Sequence, residues 1–175
     1  MNGTAVTVGF FGKIPSRGDF IRAGLSQDFT RAWDGWLQDV LPVSRRRFGA
    51  HWDEAWRAAP IWRFALAAGQ AGPRPVLGLL LPSIDRAGRQ FPLTIAAEGT
   101  DDGAHFLDEA EAAGWDAVVR DLTPDGLLAC LRQIPTPPAC TTASAGRWWS
   151  DSSVEDAATF DHLPDAAAFA GMLAR

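Results

Sequence analysis

The densest cluster of chemistry in the chain lies near its start, in Gly9-Phe10-Phe11-Gly12-Lys13-Ile14-Pro15-Ser16-Arg17-Gly18-Asp19-Phe20, where the only lysine of the sequence precedes Arg17 and Asp19. Gly9, Gly12 and Lys13 suggest a loop that cradles phosphate. The Walker pattern also requires a glycine five residues before the glycine-lysine pair and a hydroxyl residue after the lysine to hold Mg²⁺; Thr7 and Ile14 stand at those places. Nucleotide hydrolysis by this loop is therefore not expected. Arg17-Gly18-Asp19 spells an adhesion tripeptide, but three residues make a cheap match, and the N-terminus has neither the charged head nor the apolar segment of a signal peptide.

Other constellations fail on similar grounds. His51, His105 and His162 fall on a helix, near a helix start and in a tail loop, and no Gly-x-Ser-x-Gly elbow offers a nucleophile for them. Asp101-Asp102 with Asp108, Glu109 and Glu111 reads as an acidic helix entry that favours the dipole, without the alternating ligands of a calcium loop. Cys130 and Cys140 form no CxxC pair and have no histidine at zinc spacing, so they are expected as reduced thiols. No catalytic residue, metal or cofactor is expected.

Two charged loops remain. Pro82-Ser83-Ile84-Asp85-Arg86-Ala87-Gly88-Arg89-Gln90 joins two apolar runs. If those strands share a sheet with the first one, the loops meet at one end and bring together Lys13, Arg17, Asp19, Asp85, Arg86 and Arg89. Such a group is either an internal ion network that pins the loops or a mixed-charge surface for a protein partner. Both readings stand at this point.

The elements that must position these loops follow from periodicity. Ala5 to Phe11 alternates as a strand up to Gly12. Ser26 can cap a helix with Phe29, Ala32, Trp33, Trp36, Leu37 and Val40 at helical spacing. Pro42 then predicts a break, with a second helix from Ser44 to Ala59 whose first turn, Arg45-Arg46-Arg47, opposes the dipole. Strands are expected at Ile61 to Leu66, Val76 to Leu81 and Phe91 to Ala97, the first two as an antiparallel hairpin, with Pro92 at a strand start or edge. Helices follow over Ala104 to Asp121 and from Thr123-Pro124. Residues 134–146 read as a flexible loop rich in proline, threonine, serine and alanine. Arg147 to Ser150 is a strand with one tryptophan facing each side, and Leu163 to Leu173 holds a last helix.

This order predicts an α+β fold: a three-layer α/β/α sandwich with a mainly antiparallel or mixed sheet of about five strands and helices on both faces. One domain over residues 1–175 is expected, since that length can bury a core without metals or disulfides. The net charge of −5 argues against nucleic-acid or anionic-membrane partners, which need a basic field. No apolar run reaches the length of a membrane span, so a cytoplasmic location is expected.

GFFGKIPSRGDF, then Ala32-Trp33-Asp34-Gly35-Trp36-Leu37, Ala59-Pro60-Ile61-Trp62-Arg63-Phe64 and Pro82 to Leu93, resembles in order and separation the TagF family of bacterial type VI secretion. Arg147-Trp148-Trp149 and the Leu163 to Leu173 tail also look like that family's closing segment. The resemblance implies a non-enzymatic regulator that represses the secretion system after translation by binding a forkhead-associated scaffold protein. Two other readings remain: a small-anion or ligand-binding module or enzyme using the same two loops, and a structural component of the secretion apparatus.

Overall fold

Ser26 caps the first helix as its sequence position suggests: its hydroxyl accepts the Phe29 amide while its own N–H and O–H donate to the buried Glu98 carboxylate, each at 2.6 Å. Glu98 thus fixes the positive end of a long helix to the sheet. The structure, a computed structural model, describes residues 5–140, 142–150 and 157–175. In chain order it contains β1 (Thr7–Gly12), β2 (Ile21–Ala23), α1 (Gln27–Phe48), a 3-10 turn (Gly49–His51), α2 (Trp52–Ala58), β3 (Trp62–Leu66) and β4 (Val76–Leu81). These are followed by β5 (Leu93–Glu98), α3 (Ala104–Val119), α4 (Pro124–Gln133), β6 (Gly146–Ser150), β7 (Ala158–Phe160) and α5 (Ala166–Leu173).

Among the described residues the sheet has seven strands rather than about five, in the order β2-β1-β5-β4-β3-β6-β7. Every pairing is antiparallel, which removes the mixed alternative. The two additional strands, β2 and β7, are the outermost and have three residues each. Runs that short carry too little alternation to stand out from loop sequence. The five longer strands lie where periodicity places them.

Two apolar cores flank the sheet. Trp33, Trp36, Trp52 and Trp56 from α1 and α2 join Phe64, Trp148, Phe169 and Met172 on one side. On the other, Phe106, Ala110 and Ala117 of α3 and Leu127 and Leu131 of α4 cover Phe10, Leu79 and Ile95. β4 and β5 are buried along their full length, as strands covered on both faces must be. Adjacent Trp148 and Trp149 enter opposite cores, as the period of two requires.

Pro42 does not end α1. The helix runs through it to Phe48, the 3-10 turn follows, and α2 is a separate short helix. Arg45, Arg46 and Arg47 consequently occupy the last turn of α1 instead of the first turn of a second helix. There they complement the dipole, which reverses the electrostatic expectation. Gly49, at φ 54°, ends the helix with its N–H bonded to the Arg45 carbonyl.

Residues 134–140 and 142–145 form neither helix nor strand. Within them Pro137 is buried, the Cys140 amide donates to the Gly99 carbonyl, and the Thr142 and Ala143 amides donate to the buried carboxylate of Asp101. Burial alone would raise the Asp101 carboxyl; its hydrogen bonds, from Cys140 and from Ala143 and Thr142, outweigh that and hold it below the ordinary carboxylate range.

Candidate partner-binding site

Strand register brings the two charged loops together. Gly12, the last residue of β1, stands opposite Leu93, the first of β5, and Leu81, the last of β4, stands opposite Leu93 on the other side. The chain segments after β1 and after β4 must therefore emerge from the same end of the sheet. Gly12 permits the exit: it adopts φ 139°, and a Cβ there would lie 2.1 Å from the Pro92 carbonyl oxygen.

Asp85 organises this end. Its carboxylate, 1% exposed, accepts from Lys13 Nζ at 3.0 Å, from Arg89 Nε at 2.6 Å, and from the backbone amides of Ala87 and Arg89 at 2.9 Å. Burial alone would raise this carboxyl. Hydrogen bonds from the Arg89 backbone and from the Lys13 and Arg89 side chains, with the Lys13 charge, prevail and hold it far below the ordinary range. Lys13 is itself buried, and its ammonium lies 4.9 Å from the centre of the Phe20 ring. The rest of the contact is backbone to side chain or backbone to backbone. Arg86 N donates to Arg17 O at 2.8 Å, an Arg86 guanidinium N–H to Ser16 O at 2.5 Å, and an Arg89 guanidinium N–H to Gly18 O at 2.5 Å.

Each of the six expected residues lies on one of these two loops, but they divide by role in the structure. Lys13, Asp85 and Arg89 form an ion cluster that ties the loops to each other. Arg86 links the loops and stays exposed, Arg17 is exposed with a guanidinium N–H on its neighbour's carbonyl, and Asp19 is exposed. The internal network and the outward surface thus coexist, with Arg86 taking part in both.

Three supporting residues escaped the charge-based reading. Phe20, 46% exposed, stacks on Phe11 and meets Phe91 edge to face with centroids 4.8 Å apart. Gln90 accepts from Arg45 and from the Trp52 indole, and donates to Asp53. Trp56 donates its indole N–H to the Ser83 carbonyl at 3.0 Å. Gln90 and Trp56 anchor the second loop to α1 and α2. Such long-range pairings have no local sequence signal; only the high density of tryptophan in those helices hinted that indole N–H groups would need acceptors.

A family model for the TagF N-terminal domain, described as type VI secretion system-associated, matches residues 9–129. No curated protein matches the chain. Among solved structures, the crystal structure of PA0076 from Pseudomonas aeruginosa PAO1 is similar, with a TM-score of 0.83 and 29% identity over 95% of this chain and 93% of that one.

Proposed function

We propose, from the premise that the chain belongs to the TagF N-terminal domain family of type VI secretion-associated proteins, that it is a non-enzymatic post-translational repressor acting by binding a forkhead-associated scaffold protein of that system. The observation that carries the site is the division of labour at the loop end. A buried carboxylate and two cations hold the loops in one arrangement, and Arg17, Asp19 and Arg86 project from that base. Binding through preordered side chains avoids much of the ordering cost of a mobile surface. Charged groups in such a patch set orientation and partner choice.

The test is a pull-down and a titration with the purified scaffold protein. Arg17→Ala, Asp19→Ala and Arg86→Ala combined are expected to weaken binding at least tenfold, about 1.4 kcal/mol, with an unchanged circular dichroism spectrum. Unaltered affinity in the folded triple variant would remove these loops from the interface. Cell fractionation separates this reading from that of a structural component: a repressor is absent from the assembled apparatus, whereas a building block is retained in fixed proportion.

A further inference from the structure

Seven of the eight tryptophans are buried and one is not: Trp115 of α3 is 53% exposed. Beside it Val119 is 56% and Ile84 39% exposed. With Val118, Ile61 and Pro82 these side chains line a groove of about 280 Å³ between the end of α3 and the start of the Pro82–Gln90 loop. The volume is at the lower bound of the roughly 300–1,000 Å³ typical of small-molecule sites. Its walls lack the convergent polar groups that orient a small ligand, and the carbonyl of the one lining serine, Ser83, is already taken by Trp56. An aromatic residue left outside among aliphatic neighbours is the composition of an interface anchor.

Charge identifies the occupant. Arg57 is the only charged residue lining the groove, and its guanidinium donates to the Asp53 carbonyl. Arg86 follows Ile84 by two residues and donates to the Ser16 carbonyl, and Arg17, on the loop that Arg86 holds, does the same. None of these three guanidiniums forms a salt bridge among the described residues. The nearby Arg120 is paired with Asp116, and Asp19 is the exposed carboxylate of the adjoining loop. In a molecule of net charge −5, Arg57 at the groove and Arg86 and Arg17 on the adjoining loops are thus cations without a carboxylate partner among the described residues.

We infer that this groove receives an apolar segment flanked by carboxylates, which on the regulatory reading above belongs to the scaffold protein. The Trp115 ring and Val119 seat the apolar side chain, and Arg57, Arg86 and Arg17 meet the acidic flank. The groove and the charged loop are then one surface, continuous through Ile84.

Calorimetric titration with the purified scaffold protein, at low and at high salt, tests this. Trp115→Ala and, separately, Val119→Ser are expected to weaken binding about tenfold at either salt concentration, since both side chains are half exposed and contribute little to the fold. Arg57→Gln should weaken it several-fold at low salt, with the effect shrinking as salt screens the pair. Wild-type affinity in both apolar variants, alongside loss in the loop variants, would overturn the groove and leave the regulatory reading intact. A wild-type chain that does not bind the scaffold overturns both. Sedimentation provides the remaining arm: a concentration-dependent dimer abolished by Trp115→Glu would assign the groove to a second copy of this chain and overturn the inference.

Discussion

Asp85 is the residue on which the loop end depends, because it is buried and answers two cations and two amides at once. Removing it would leave the Lys13 ammonium in a site 7% exposed without its carboxylate. Breaking a buried pair from one side costs about 3–5 kcal/mol, far more than the pair contributes relative to an apolar substitute. Asp85→Ala is accordingly expected to lower the unfolding free energy by about that amount in urea titration. The sign of the pH dependence follows from the lowered carboxyl. Its folded value lies below the unfolded one of about 3.9, so the stability it contributes is present above that value and lost as pH falls through the folded value. The gap between wild type and Asp85→Asn should therefore narrow from about pH 5 downward; a gap independent of pH would show that the charge is not what stabilises. That the two charged loops would meet was legible, on the condition that their strands share one sheet and leave it at the same end; the pairing of Asp85 with Lys13 was not. Nor was it legible which carboxylate would be buried: Asp19 and Asp85 look alike in sequence, and only Asp85 lies in a turn whose own amides at Ala87 and Arg89 point back at it.

At the scale of elements, α1 shows where local rules are overridden. Pro42 cannot donate to the Gln38 carbonyl and its ring crowds the preceding turn, which is why a break is expected there. The helix continues because both sides of the proline are held: Val40 and Ser44 are buried, Leu41 and Phe48 pack on the tryptophan core, and Arg45 donates to Gln90. Packing outweighs the propensity term of about 3 kcal/mol between proline and alanine. Pro42 is exposed, so Pro42→Ala should raise the unfolding free energy by about 1–3 kcal/mol, read as a shift of the urea midpoint at constant slope. An unchanged midpoint would mean that the helix already accommodates the proline without loss. The caps were legible for the opposite reason. Ser26 and Thr123 bond amides within their own first turn, so their effect is local and survives in any tertiary context. The exposure of Trp115 was not legible in the same way: helical spacing alone does not separate it from Trp33, Trp36, Trp52 and Trp56, which are also on helices and are buried.

For the whole molecule, the family match and the packing have different boundaries. The matched segment, residues 9–129, ends before β6, β7 and α5. Yet β6 supplies the second neighbour of β3 through the pairs Trp62 to Ser150 and Phe64 to Trp148. Trp148 stacks parallel to Trp33 at 6.0 Å, and Phe169 meets Trp36 edge to face at 5.5 Å. The Trp36 and Trp62 indoles donate to the carbonyls of Pro164 and Met172. A chain ending at Gln133 would expose one side of β3, open the tryptophan core and leave two buried indole N–H groups without acceptors. Each orphaned donor costs about 1–3 kcal/mol, and loss of a buried aromatic side chain about 3–5 kcal/mol. For the two indoles and for Trp148 and Phe169 this comes to about 8–16 kcal/mol, comparable to the whole 5–15 kcal/mol by which a domain of this kind is stable. The shortened chain is expected to lose its near-ultraviolet tryptophan signal and any cooperative melting transition. If it instead melts cooperatively with an intact aromatic spectrum, residues 134–175 are an appendage, and the one-domain organisation proposed for the chain fails.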